Sequence, residues 1–364
     1  MPLRVALVGC GKIADGHVEE IQKLAGRARL VAVCDKELLI AEQLAKRFGV
    51  PRHYDDFAQL LERERPDVVH VTTPPQTHLR IGEQAFAAGC HVYMEKPFAL
   101  NHAEAVKLIA AAERARRKIT VNYFNYFDPP ALAMRELIAQ GTIGTPIHVE
   151  SFYGYDLSSP FAKALLADRA HWVHRLPGKL LHNVIDHMLN KVMEFVPDDD
   201  PSVDARGYSL RPAPTLHPDD QSGALDDELR VLIQGERTSG YATFSSHVRP
   251  AAQFVRVCGT RNTLRVDYVA RTVTLETGAL LPTAIGRLLL PFQHSLSLLR
   301  EGGRNLLRFA ASDFHYFAGL ERLISLFYRS VEEESPVPIS QRDILRVSRL
   351  MDRIFQQLEQ RRAA

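Results

Sequence analysis

Cysteine is scarce in this chain of 364 residues. There are four, Cys10, Cys34, Cys90 and Cys258, and no Cys-x-x-Cys pair. That argues against a disulfide framework and against a cysteine-built zinc site, and the expected compartment is a reducing cytoplasm. An excess of one charge is missing too. Lys and Arg number 45 against 43 Asp and Glu, a net charge of +2, so no basic field invites nucleic acid. No apolar run reaches the length of a membrane span. The longest, 280–292, holds Pro282, Pro291 and Arg287. No charged-then-apolar leader opens the sequence, so no signal peptide is expected. Internal repeats and low-complexity segments are also lacking. What remains is an ordinary globular composition, 46% hydrophobic and 24% charged, in a chain long enough for two domains.

The most informative feature that is present lies at the start. Leu3 to Val8 reads as a buried strand, and Val18, Ile21, Leu24 and Ala25 follow at helical spacing. Between them stands Gly9-Cys10-Gly11-Lys12-Ile13-Ala14. The first glycine permits a tight turn, the second lets backbone N–H groups approach a pyrophosphate, and small Ala14 lets helix and strand pack closely. Phosphates would sit at the positive end of the helix. Asp35 ends a second apolar run, 30–34, where it is placed to accept hydrogen bonds from the adenosine ribose. Gly9, Gly11, Lys12, Ile13, Ala14 and Asp35 are therefore the expected dinucleotide site, with NAD preferred over NADP.

Strands at 3–8, 29–34, 68–72, 91–94 and 119–122 alternate with helical patterns around 13–25, 37–48, 77–88 and 102–117. That alternation predicts a doubly wound parallel sheet, whose ligand crevice lies at the carboxyl ends of its strands. After Pro129-Pro130 the rhythm changes. A helix over 132–140, a strand near Ile147 and a helix around 180–195 precede successive strands from Val203 to Glu276, with 212–221 read as a surface turn. Helices over 313–334 and 340–361 close the chain. The expected architecture is a Rossmann domain, 1–122, followed by an α+β domain, 123–364, with a mostly antiparallel sheet covered by helices.

Three further strings carry a resemblance: Thr73-Pro74-Pro75-Gln76-Thr77-His78, Glu95-Lys96-Pro97, and the run from Gly178 to His187. Together with the glycine turn, they resemble the Gfo/Idh/MocA family of nicotinamide-dependent oxidoreductases. The resemblance implies that Lys96 hydrogen-bonds the reacting hydroxyl or carbonyl and that Glu95 meets the nicotinamide-side ribose. It places Thr73, Pro74 and His78 along the cofactor and makes His187 a substrate-side histidine. Asn183 stands where the family commonly has aspartate, and Lys179 where a second glycine is common. Phe124 and Tyr126 also depart from the family pattern. The implied activity is hydride transfer between NAD and a sugar, polyol or sugar-nucleotide hydroxyl or carbonyl, in a homodimer or homotetramer. Two rivals are a glycoside hydrolase that uses tightly held NAD transiently and a non-catalytic nucleotide sensor.

The residue types suit the chemistry. Oxidation of a carbinol requires its hydroxyl proton to leave with the hydride. Like charge and desolvation beside an oxidised nicotinamide favour a lysine's neutral amine, so Lys96 is a candidate base or an electrostatic anchor. His187 relays protons at physiological pH. Asn183, a helical turn earlier, orients substrate or water without ionising. Trp172 and Tyr123 are candidates to face a sugar ring. His171, Trp172, His174 and His182 cluster in sequence, but without a cysteine or carboxylate partner no metal is expected. The stretch 280–309 is extra relative to the family outline, rich in leucine, with Arg287, Arg300, Arg304 and Arg308. It reads as an apolar hairpin packed on its own or a sister subunit, or as a basic lid or membrane-surface element.

Overall fold

The computed structural model describes residues 1–157, 168, 170–210, 226–278, 283–311 and 314–363. The 212–221 turn and residues 280–282 and 313 lie outside them. The chain divides into two compact units, Met1–Phe127 with Gly319–Arg349, and Asp128–Ala318 with Leu350–Ala364. Neither unit is one continuous stretch of chain.

In the first unit, β1 (Leu3–Val8), β2 (Ala28–Cys34), β3 (His53–Tyr54), β4 (Val68–Val71), β5 (His91–Met94) and β6 (Ile119–Val121) form a sheet in the order 3-2-1-4-5-6. All its pairings are parallel. This is the doubly wound fold expected from the alternation of strands and helices. Val5, Leu7, Val33, Val69 and Val92 are fully buried, each such side chain contributing roughly 1.5–3 kcal/mol relative to exposure. The linking helices are α1 (Ala14–Lys23), α2 (Leu38–Phe48), α3 (Phe57–Glu64), α4 (His78–Ala87) and α5 (His102–Arg114). Both β3 and α3 were missed by the periodicity. A two-residue strand has no period, and the eight-residue helix is set instead by its cap, where Asp56 accepts the N–H groups of Ala58 and Gln59.

In the second unit, β7 (Pro146–Asp156), β8 (Ser202–Tyr208), β9 (Glu228–Gln234), β10 (Ser239–Ser245), β11 (His247–Gly259), β12 (Thr263–Asp267) and β13 (Thr272–Glu276) pair in the order 13-12-11-7-10-9-8. Every pairing is antiparallel except β7 with β10. Helix α6 (Pro129–Ala139) packs on β12 and β13. The single helix expected around 180–195 is two, α7 (Lys179–Val184) and α8 (Asp186–Met193), meeting at Ile185. Helix α8 packs on β7 and β10. Gly240 makes that approach possible, because a Cβ there would stand 2.2 Å from Val192 Cγ1.

One expectation is corrected outright. The described part of 280–309 is not a hairpin but a single helix, α9 (Thr283–Ala310), of 28 residues. The helix runs through Pro291 and the Gly302-Gly303 pair, and Ser295 Oγ donates to the Pro291 carbonyl at 2.8 Å. Helices α10 (Ala318–Glu332) and α11 (Gln341–Ala363) complete the described chain. No described helix is long and apolar enough to cross a membrane.

Candidate active site

Every polar motif of the first unit falls at a carboxyl end of the parallel sheet. Gly9 follows β1 with φ +97°, and a Cβ there would lie 2.6 Å from the Thr73 backbone nitrogen. Only glycine fits, because the turn after β1 and the turn after β4 touch. Thr72 locks that junction by donating its hydroxyl to the Gly9 carbonyl at 2.6 Å. At Gly11 the backbone borders open space, with nothing within 4 Å of a Cβ position. Ile13 caps α1 without a side-chain hydrogen bond, so the helix start offers its positive end to an anion. Asp35 is half-buried at the end of β2. Its Oδ2 accepts the Cys10 N–H at 2.8 Å and its Oδ1 accepts the Glu37 N–H at 3.0 Å. An open glycine turn, an uncapped helix start and an oriented carboxylate fit a dinucleotide whose adenosine ribose meets Asp35.

The loop after β4 carries Thr73 and Pro74, both half-buried. Thr77 donates its hydroxyl to Thr73 Oγ1 at 2.7 Å. His78 is fully buried, with Nε2 2.8 Å from the Thr73 carbonyl and Nδ1 3.2 Å from that of Phe98. Burial pulls its imidazole below the usual range, opposed by the two carbonyls that its ring nitrogens face.

Glu95 is buried as well. Its carboxylate takes His17 Nε2 at 2.7 Å, the amide of Asn122, and the Lys96 N–H at 3.0 Å. Burial would raise its pKa, but the hydrogen bond and charge of His17, with Lys96 and Asn122, outweigh that and hold it below the ordinary value. Behind it runs a buried chain that sequence reasoning missed. His17 Nδ1 lies 2.9 Å from His70 Nδ1, and the Tyr328 hydroxyl lies 2.8 Å from His70 Nε2. Burial, then His17, push His70 well below its usual pKa. The available signals were His17 on the apolar face of α1 and His70 inside the run Val68-Val69-His70-Val71. Lys96, half-buried, thus follows a residue whose side chain is fixed on three sides. Tyr123 is buried, edge-on to Tyr126 with ring centroids 6.1 Å apart.

In the second unit Lys179 opens α7 at φ +47°. Gly178 leaves room for Phe355, whose ring a Cβ would strike at 2.1 Å. Asn183 on α7 and His187 on α8 are both half-buried, and the His187 ring stacks on Tyr153 at 5.0 Å. Trp172 is half-buried in a single 3₁₀ turn, with His171 against it at 5.2 Å. His182 is buried and stacked on Phe355 instead.

Asp186 and Lys191 are fully buried on α8. The Lys191 ammonium sits 3.9 Å from the centre of the Tyr268 ring. Burial pulls its pKa down to about 7 against the opposing carboxylates of Asp128 and Asp186. Sequence reading passed over Lys191 because a lysine in a helix reads as solvated. Among the described residues the one group with metal-ligand proximity is Asp227, Glu228 and His247. There Glu228 is occupied by Arg230 at 2.8 Å and Ser245 at 2.5 Å, and Asp227 by His247 at 2.7 Å.

The sheet order, the glycine turn and Asp35 define the first unit as a dinucleotide-binding Rossmann fold. Residues 3–123 match the Gfo/Idh/MocA family, described as an oxidoreductase family with an NAD-binding Rossmann fold. The likeness to that family is confined to this stretch, about a third of the chain. Among curated proteins, it is 33% identical over 143 residues to D-glucoside 3-dehydrogenase of Escherichia coli, covering 39% of this chain and 41% of that one. It is 30% identical over 211 residues to trans-1,2-dihydrobenzene-1,2-diol dehydrogenase of Danio rerio, covering 58% and 61%. The chain thus spans about two-fifths of the first relative's length and three-fifths of the second's. Levoglucosan dehydrogenase, solved with NADH and levoglucosan, superposes with a TM-score of 0.80 at 18% identity, covering 99% of this chain and 98% of that one. The WlbA dehydrogenase of Chromobacterium violaceum, solved with NADH and UDP-GlcNAcA, gives 0.76 at 19%, covering 99% and 94%. These structures share the fold.

Proposed function

We propose that the chain is an NAD-dependent oxidoreductase acting on a hydroxyl or carbonyl carbon of a sugar, polyol or sugar nucleotide. The observation that supports this reading is that the Gly9–Ala14 turn, Asp35 and Lys96 all follow carboxyl ends of strands in one parallel sheet. The names of the curated relatives, dehydrogenases of glucosides and diols, support the same class. When bound, NAD would supply the hydride acceptor or donor. The chain's own part is to hold the adenosine ribose on Asp35, to anchor the loops through Thr72 and His78, and to manage the substrate proton. Lys96 is the proposed partner of the reacting oxygen, steadied by its own N–H bond to Glu95. His187 is the proposed proton relay and Asn183 the orienting amide, with Tyr123 and Trp172 lending apolar faces. A cytoplasmic homo-oligomer, dimer or tetramer, completes the proposal.

The test is a panel of sugars, polyols and nucleotide sugars incubated with NAD and followed for nicotinamide reduction. Turnover with one chemical class is expected. Cleavage of a glycoside without net reduction would assign the chain to the hydrolase reading instead.

A further inference from the structure

Helix α9 is built the wrong way round for a helix lying on its own domain. The side packed on the sheet is largely polar or small. Glu301, 6% exposed and the only acid in the helix, accepts the Val273 N–H of β13 at 3.0 Å, and Asn305 donates to the Ala270 carbonyl at 3.0 Å. Gly286, Gln293 and Ser297 share that inward side. Its opposite face carries Ile285, Leu288, Phe292, Leu296, Leu299 and Leu306, all exposed, with Phe292 at 68% and Leu299 at 73%. At 100° per residue these six fall within an arc of about 80° free of charge. From 285 to 306 the stripe runs about 32 Å at 1.5 Å per residue. Exposed Arg300 borders it on one side, with Arg304 beyond it paired to the buried Glu301, and no exposed acid stands anywhere on the helix.

We propose that this face of α9 is a membrane-surface element that rests in the interface of an anionic lipid bilayer. The charge pattern selects that occupant. An apolar face bordered by arginines and lacking exposed acids complements a negatively charged headgroup layer. A second copy of the same helix is the poorer fit. Pairing through a narrow seam would put Ser295 and Gly302 at alternate seam positions, and it would offer Arg300 no acid. The helix lies on the surface and does not span, since none of the described helices meets the length and apolarity of a crossing. Its inward face stays bound to β13, so the apolar side chains enter the lipid with the domain attached.

The experiment uses the full chain with vesicles of phosphatidylglycerol or of phosphatidylcholine, and measures co-sedimentation and solution mass. Binding to phosphatidylglycerol alone is expected, weakening as salt rises. Phe292→Ser with Leu299→Ser should weaken it more than tenfold. Arg300→Gln with Arg304→Gln should weaken it by about thirtyfold, at roughly fivefold for each cation near the surface. NAD affinity, which depends on the other unit, checks that each variant is folded; if the serine pair fails to fold, the arginine pair decides. Failure to bind phosphatidylglycerol, or binding indifferent to both pairs, overturns the proposal. So does a dimer that the serine pair splits without any vesicle binding, which would give the face to a second copy.

Discussion

Asp35 accepts the backbone N–H of Cys10 at 2.8 Å, so the acid that ends β2 is tied directly to the glycine turn that ends β1. The carboxylate is held in place before any ligand arrives, with its second oxygen on the Glu37 N–H. Such an acid favours a free ribose 2′-hydroxyl and repels a 2′-phosphate. The expected result is a lower dissociation constant for NAD than for NADP, by tenfold or more. Lys36 does not reverse this, because its ammonium is 88% exposed and lies 3.8 Å from Glu37. Replacing Asp35 with alanine should narrow the gap, as two calorimetric titrations would show.

Lys96→Ala and His187→Ala are expected to leave NAD affinity unchanged while lowering turnover on the order of a hundredfold or more. The proposed pyrophosphate cradle is backbone from Gly9 to Ala14, apart from either side chain's proposed role. Steady-state kinetics beside cofactor titration check the split. A Lys96 variant with near-normal turnover would show the proton chemistry to be elsewhere.

Glu95→Ala strips a buried acceptor from His17 and Asn122 and should cost about 2–4 kcal/mol in denaturant unfolding. Glu95→Gln tests the charge alone. The folded-state pKa of Glu95 is depressed, so its contribution is present above the unfolded value, about 4.3, and is lost as pH falls through the lower folded value. The stability difference between the parent chain and the glutamine variant should therefore be constant near neutrality and shrink in acid.

Lys191 carries the opposite sign. Its pKa drops to about 7 in the fold, against about 10.4 unfolded. Between those values the unfolded chain holds one more proton, so this group makes stability rise with pH, and its penalty is complete below pH 7. Lys191→Met should flatten that slope and raise stability at pH 6 by roughly 1–3 kcal/mol. Unfolding at several pH values checks both.

Legibility in the sequence followed the physics of each signal. The parallel sheet was readable because most of β1, β2 and β4 is buried on both faces, so the strands read as apolar runs interrupted only by Arg4, Arg29 and His70. Asp35 and Lys96 were readable because a strand's end places the next residue at the crevice. The His17–His70–Tyr328 chain was not, since Tyr328 joins the first unit from a segment 258 residues beyond His70. Nor was the outward face of α9. An amphipathic pattern shows which residues share a side, but only packing shows that Glu301 faces in and Leu299 out.

The most direct test of the central claim is to offer the best substrate of the panel with deuterium on the reacting carbon and to weigh the reduced nicotinamide. Hydride transfer predicts that the deuterium appears in the nicotinamide ring and that Lys96→Ala slows its appearance. Reduced cofactor without deuterium, or substrate consumed with none in the ring, would contradict it.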